Sequence, residues 1–218
     1  MQRDGVISHQ KEATMRFTYI TVAAVCAVML AVPVLAKEKK ADKAMDQQAM
    51  MELWKKAAAV PAARWHLIGH LQRNKLDRTV PLVALVHSVD SERLLAALDA
   101  FGRARGVPVP VLLEVNCSGE AAKGGFAPAD LPALGDTVMS RAGVAVRGLM
   151  TMAAYSDDPE AARPTFAALR TLRDDLRART GLALPDLSMG MSGDFEVGVE
   201  EGATFVRVGS TLFDGLGR

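Results

Sequence analysis

The chain has 218 residues, of which half are hydrophobic, and it carries a formal net charge of +1 at pH 7. It is long enough to bury a core of ordinary domain size, and its near-zero charge gives no indication of nucleic-acid binding. Its two cysteines exclude a framework of several disulfides, and Cys117 is predicted to be a buried or half-buried thiol rather than a nucleophile.

The first 56 residues differ from the rest in their basic side chains. They contain seven of the nine lysines but only two of the seventeen arginines, which indicates two sequence histories joined near Lys56. Within them an apolar run, 17–36, follows Met15-Arg16 and precedes a lysine-rich stretch, as in a secretory signal peptide or a membrane anchor. We predict a signal-like or anchor segment over 1–36 and a polar helical linker over 37–63. A buried core helix is the alternative for the apolar run.

From residue 64 to residue 218, apolar strands alternate with amphipathic helices. Strands are predicted at Trp65–His70, Leu82–Asp90, Val109–Ser118, Val146–Met152, Leu184–Ser192 and Phe205–Ser210. Helices are predicted between them, including one that Ser91 caps and two that cover Pro128–Met139 and Pro159–Thr180. Six such units in about 150 residues predict a parallel sheet with helices outside it.

Polar and glycine residues collect where these strands end, and in a barrel those ends meet on the face that binds ligands. We predict an α/β fold of the (β/α)8 TIM-barrel type, incomplete at about six βα units. A flat doubly wound sheet is the alternative, although no G-x-G-x-x-G motif opens it. In the run from Leu187 to Gly215, glycine and hydroxyl groups at two strand ends predict a phosphate cradle.

Five ordered segments carry a more specific signal: WHLIGHLQRNK, VHSVDS, LLEVNCSGEAAKGGF, RGLMTM and LSMGMSGDFEVGVEEGATFVRVGSTLFDG. In order and spacing they resemble the pyridoxal phosphate homeostasis protein family, which is similar in fold to the N-terminal barrel of alanine racemase. The resemblance implies a barrel that binds pyridoxal 5′-phosphate at the carboxyl ends of its strands. It implies that Ser192, Gly209 and Ser210 hold the phosphate. It also implies that Arg207 faces the pyridine nitrogen and that His66 lies near the ring.

Two of these residues have alternative interpretations from the sequence alone. Arg207 lies in an apolar strand, where a buried charge needs a partner, and an outward salt bridge is the alternative to a site role. His66 could be a satisfied histidine at a strand end. His66 and His70 are four residues apart, but the residues between them are typical of a strand, so no metal site is predicted.

The chain departs from the family at its start. The family carries its cofactor on a lysine in a motif like V-S-K-T after the first strand and has a G-E-N-Y motif on the second, and neither motif occurs here. The strand at Trp65 corresponds to the family's third strand. We expect a partial, open barrel with exposed edges at the Trp65 and Phe205 strands, for which the N-terminal apolar helix offers a cover. We also expect cofactor binding to be non-covalent at best.

These observations lead to three functional hypotheses. The first is a non-catalytic carrier or regulator of pyridoxal phosphate, impaired in covalent binding and, as the resemblance implies, cytoplasmic. An arginine at the pyridine nitrogen keeps that nitrogen unprotonated and weakens the ring as an electron sink, which favours a carrier over an enzyme. The second is an exported or membrane-tethered degenerate barrel without cofactor function, held at the membrane through 17–36. The third is a racemase-like enzyme, for which the chain lacks the lysine and offers only Tyr19 and Tyr155 as the opposite base.

Overall fold

A computed structural model of the protein describes residues 51–213, apart from Leu53 and the side chains of Ser210 and Phe213. The predicted signal-like segment over 1–36 and the first part of the linker, 37–50, lie outside the described residues. The predicted cover of the barrel by the apolar helix therefore stays a prediction. Among the described residues, no helix combines the length and the apolar character needed to cross a membrane.

Six parallel strands form one sheet in the order of the sequence. They are β1 (His66–Leu67), β2 (Leu85–Val89), β3 (Val109–Glu114), β4 (Val144–Met150), β5 (Asp186–Met191) and β6 (Phe205–Arg207). Each strand pairs with the next one along the chain, so β1 and β6 are the two edges of the sheet. This arrangement confirms the predicted incomplete barrel, because a doubly wound sheet reverses its strand order at a switch point.

Helices follow the strands, as the alternating pattern predicts. They are α1 (54–59), α2 (Leu76–Thr79), α3 (Glu92–Arg105), α4 (Leu131–Met139), α5 (Arg163–Thr180) and α6 (Phe195–Glu200). Short 3-10 helices precede α4 and α5 at Pro128–Asp130 and Pro159–Ala162, so the two predicted helices each begin as a 3-10 turn. In both turns proline occupies the first positions, where a missing N–H costs no hydrogen bond.

Helix α3 shows how the local sequence sets these elements. The hydroxyl of Ser91 accepts a hydrogen bond from the Leu94 backbone N–H at 3.4 Å, which confirms the predicted N-cap. At the other end Gly106 adopts a left-handed conformation with φ of 69°, which a residue with a Cβ adopts only at a cost. Between them Leu94, Leu95 and Leu98 are buried against the sheet.

Alternation along the strands gives the sheet two apolar faces. The helix-covered face is the larger core, and it includes Val86, Leu113 and Leu149 beside the buried helix residues. The opposite face, called the inner face here, has a smaller core of Leu85, Leu112 and Met150, against which Met152 and Phe205 pack. Because side chains point alternately to the two sides of a strand, neighbours in sequence serve different cores.

Strand β1 is shorter than predicted. The sequence predicted a strand over Trp65–His70, whereas only His66 and Leu67 pair, with Leu85 and Val86 of β2. In the described sheet β1 has a neighbouring strand on one side only, so fewer backbone hydrogen bonds hold it extended. The predicted open edges at β1 and β6 are confirmed for the described part of the chain.

The pairing of β4 with β5 is close enough to require a glycine. A Cβ on Gly148 would lie 1.7 Å from the carbonyl oxygen of Asp186, whereas a Cβ on Gly69 would meet nothing within 4 Å. We expect Gly148→Ala to lower the free energy of unfolding by about 3 kcal/mol, because β5 must move away to relieve the clash. The matched control Gly69→Ala should change it by less than about 0.5 kcal/mol. Urea unfolding followed by circular dichroism measures both, and equal stabilities of the two variants would contradict the close pairing.

Candidate functional site

A chain of polar side chains crosses the inner face above the small apolar core. The Nδ1 atom of His66 on β1 lies 3.0 Å from Nε2 of His87 on β2. The Nδ1 atom of His87 lies 2.8 Å from the hydroxyl of Ser188 on β5. That hydroxyl accepts a hydrogen bond of 2.7 Å from the guanidinium of Arg207 on β6. These contacts therefore connect β1 and β2 to β5 and β6 across the interior of the open barrel.

Arg207 is a buried cation, with 5% of its surface exposed. Its guanidinium donates to the Ser188 hydroxyl and, at 2.9 Å, to the backbone carbonyl of Thr151. Burial lowers the pKa of Arg207 to about 10, and the negative charges of Asp194 and Glu114 oppose this shift. The side chain stays protonated at neutral pH. The alternative of an outward salt bridge is wrong, because the side chain points into the interior and its close partners are neutral oxygens.

The two histidines are uncharged at neutral pH. Burial, followed by the nearby His66 and Arg207, lowers the pKa of His87 to about 3. Burial, followed by the charge of Arg64, also lowers the pKa of His66. The edge of Phe205 packs against both imidazole rings, with ring centroids 5.3 Å apart in each pair. The aromatic contact shields the rings from water, which disfavours their charged forms.

His66 is only partly satisfied by this network. Its Nδ1 atom contacts His87, but its Nε2 atom is buried and has no hydrogen-bond partner among the described residues. Such orphaned polar atoms are rare in folded proteins and call for an explanation, such as a missing ligand. The described residues leave this nitrogen unpaired, whereas the alternative of a satisfied histidine at a strand end requires a partner there.

Sequence reasoning missed Glu114 and Ser188. Glu114 ends β3 on the inner face and is buried, and its pKa is raised by burial and by the charge of Asp90, against the opposing charge of Arg207. A glutamate in the apolar run VPVLLEV was the available signal for this residue. Ser188 is fully buried between His87 and Arg207, and nothing in its local sequence marks that contact.

The loops after β5 and β6 meet at the carboxyl ends of these strands. The hydroxyl of Ser192 accepts a hydrogen bond of 3.1 Å from the Gly209 backbone N–H, and the Thr211 hydroxyl donates to the Ser192 carbonyl at 3.4 Å. The predicted partners Ser192 and Gly209 are thus brought together. The side chain of Ser210, the third predicted phosphate ligand, lies outside the described residues.

Glycines shape the first of these loops. Gly190 has φ of 93°, and a Cβ there would lie 2.9 Å from the Cα of Phe195, so the turn into α6 accepts only glycine. Gly193, in contrast, has open space where its Cβ would point. Hydroxyl and backbone N–H groups beside open space are suited to bind an anion such as a phosphate.

Other groups near the strand ends are explained by the fold. Cys117 is half-buried, as predicted, and burial raises the pKa of its thiol, which disfavours the reactive thiolate. Lys123 donates to the Ala153 carbonyl at 2.7 Å and pairs with Glu120. Across the described residues, no group of three or more His, Cys, Asp or Glu side chains is placed to hold a metal ion.

Comparison with known proteins places the chain in a family. The family model described as the alanine racemase N-terminal domain matches residues 17–216, beginning inside the predicted signal-like segment. The pyridoxal phosphate homeostasis protein of Aquifex aeolicus is 46% identical over 149 residues, which cover 68% of this chain and 65% of the relative. That of Deinococcus radiodurans is 44% identical over 162 residues, which cover 74% and 73%. This chain therefore spans just under two thirds of the length of the Aquifex relative.

A solved structure shares the fold. The structure of PipY from Synechococcus elongatus, determined with PLP bound, has a TM-score of 0.67 and 34% sequence identity. The match covers 76% of this chain and 77% of that chain. The six-stranded sheet is thus similar to the larger part of a barrel that binds pyridoxal phosphate.

The low pKa of His87 predicts a pH-dependent stability. Between pH 6.5 and pH 3 the unfolded chain binds a proton at this residue and the folded chain does not, so stability falls as the pH falls. Between pH 7 and pH 4, we expect the free energy of unfolding to fall by about 3 kcal/mol more in wild type than in His87→Gln. Unfolding by urea at a series of pH values measures this difference.

The control is Ser140→Ala, which removes an exposed hydroxyl that donates to the Thr137 carbonyl. This variant changes no ionisable group, so it should keep the wild-type dependence on pH. If His87→Gln also showed the wild-type dependence on pH, His87 would contribute nothing to that dependence. The folded protein would then take up the proton at His87 as readily as the unfolded chain, and the burial argument would fail.

Proposed function

We propose that this chain, which belongs to the pyridoxal phosphate homeostasis protein family, binds pyridoxal 5′-phosphate non-covalently as a carrier or regulator of the cofactor. The observation that supports this most is the convergence of Ser192, Gly209 and Arg207 at the carboxyl ends of β5 and β6. A hydroxyl and a backbone N–H there suit a phosphate, and a buried cation lies on the adjoining inner face. When bound, the cofactor supplies an aldehyde and an aromatic ring that can accept electrons.

The residues present fit the phosphate end of this cofactor. Ser192 and the Gly209 backbone would hold the phosphate, together with Ser210 as the sequence predicts. The open space at Gly193 leaves room for phosphate oxygens, which a side chain at that position would reduce. The donor set is neutral apart from Arg207, so phosphate affinity would come from directed hydrogen bonds more than from net charge.

The properties of Arg207 favour a carrier over a catalyst. A cation that stays protonated at neutral pH gives no acceptor for a proton on the pyridine nitrogen, so a ring bound beside it stays unprotonated. An unprotonated ring is a weak electron sink and supports little carbanion chemistry. Tyr155, the described tyrosine, is 93% exposed, so it offers no base inside the barrel for a racemase reaction.

Three of the four described lysines are engaged by other groups. Lys55 of α1 pairs with Glu52, Lys75 lies over the Trp54 ring, and Lys123 is held by backbone carbonyls and Glu120. The chain also lacks the V-S-K-T motif that carries the lysine in the family. These observations support binding without a covalent bond to the aldehyde.

Titration with pyridoxal 5′-phosphate tests the proposal. We expect a saturable change in cofactor absorption, and after borohydride reduction we expect no stoichiometric adduct on any single lysine in peptide mapping. Ser192→Ala should weaken binding about tenfold, because the variant loses one hydrogen bond to a charged ligand.

Ser140→Ala provides the matched control, since this exposed hydroxyl donates only to the Thr137 carbonyl at the end of α4. It should bind the cofactor like wild type. An absence of saturable binding would overturn the proposed function, whereas binding with a stoichiometric adduct on one lysine would overturn only its non-covalent character.

A further inference from the structure

The series of hydrogen-bonded side chains on the inner face has at one end a group that can only donate. An arginine guanidinium has only N–H groups, so Arg207 donates and the Ser188 oxygen accepts. The hydroxyl of Ser188 also has one proton to donate. Its other contact on the inner face is Nδ1 of His87, at 2.8 Å, and Ser188 is fully buried. The Ser188 proton therefore goes to His87, whose Nδ1 is an acceptor.

The same order of donor and acceptor continues through His87 and His66. His87 is neutral and has one ring proton, so an accepting Nδ1 puts that proton on Nε2. The Nε2–H of His87 then donates to Nδ1 of His66, which lies 3.0 Å away. His66 in turn has its own proton on Nε2, the buried atom that has no partner among the described residues.

The opposite direction leaves more groups unpaired. If His66 donated to His87 and His87 donated to Ser188, the Ser188 proton and the His66 Nε2 lone pair would both lack partners. In the first direction only the His66 Nε2–H lacks one. Since buried polar groups in native proteins are nearly always paired, the arrangement with one orphan is favoured over the arrangement with two.

We infer that Arg207, acting through Ser188 and His87, fixes the tautomer of His66 so that its Nε2–H is a directed donor to an acceptor oxygen of the bound ligand. This inference rests on the proposed function, since the ligand in question is pyridoxal phosphate. The cofactor has such acceptors in its phenolate and aldehyde oxygens. Ser188 and His87 are positioning residues here, because they act on the ligand only through His66.

His66 is the less deeply buried of the two histidines. His66 is half-buried and lies on β1, an edge strand with no neighbour on its outer side in the described sheet. Phe205 packs against its ring from β6, so the imidazole lies between the two edges of the open barrel.

The tautomers can be measured in the ligand-free full chain labelled with 15N. Long-range 1H–15N correlation spectra of the imidazole rings at pH 7 identify which nitrogen of each neutral histidine has the proton. We expect Nε2–H for both His66 and His87, with signals assigned through the His66→Gln and His87→Gln variants. An Nδ1–H form at either residue would overturn the inference, whatever the cofactor does.

Ser188→Ala tests the role of the hydroxyl relay. Without the Ser188 proton, His87 has no fixed donor at Nδ1, so the spectra of His87 and His66 should change to a mixture of tautomers. Ser140→Ala, the exposed counterpart, should leave both histidines as in wild type. A purely structural role of Ser188 would lower stability without changing the tautomers, and unchanged tautomers in folded Ser188→Ala would contradict the relay.

Addition of pyridoxal 5′-phosphate separates this inference from the proposed function. Cofactor absorption reports binding, and the His66 Nε2–H signal reports the new hydrogen bond. We expect both to change with the same dependence on cofactor concentration. Changed absorption with an unmoved His66 signal would overturn the donor role alone. Unchanged absorption at saturating cofactor would overturn the proposed function and with it the ligand contact of His66, while the tautomers would still be decided by the ligand-free spectra.

Discussion

The buried guanidinium of Arg207 is the constraint on which the rest of the interior depends. A charge in the interior costs free energy unless its N–H groups are hydrogen-bonded, and here the Ser188 hydroxyl and the Thr151 carbonyl accept from it. Thr151 follows β4, and its own hydroxyl donates to the Val115 carbonyl after β3 at 2.7 Å. The charge on β6 is therefore stabilised by groups from the two preceding strands, and Ser188 extends the network to His87 on β2.

This network compensates in part for the short edges of the sheet. Strands β1 and β6 have two and three paired residues, so their backbone hydrogen bonds alone hold them weakly. The contact of Phe205 with the rings of His66 and His87 brings side chains of both edges together across the opening. In the described sheet, side chains therefore contact each other across the gap between the two edge strands.

The sequence predicts the architecture well because the architecture depends on local patterns. Alternating apolar strands and amphipathic helices, with Ser91 as a cap, predict six strands with helices between them, and the described residues contain all six strands. The paired length of β1 was overestimated, since pairing depends on neighbours that the local pattern does not show. The contact between His87 and Ser188 joins residues 101 positions apart, and only the curvature of the sheet brings them together. Ser192 and Gly209 were proposed through the family resemblance. Glu114 could be recognised only once its burial and the face of the sheet on which it lies were known.

The electrostatics of the inner face favour the same function as the geometry of the loops. At neutral pH His87 is uncharged, and burial raises the pKa of both Glu114 and Cys117. His87 therefore adds no charge to the inner face, whereas Arg207 is a fixed cation there. Proton transfer to and from a substrate carbon needs a base whose pKa lies near the working pH and whose lone pair is free. His87 has neither, because both of its nitrogens are engaged and its pKa is far below 7. Among the described residues, Arg207 is a fixed cation and His87 offers no free base, which supports the proposed carrier role.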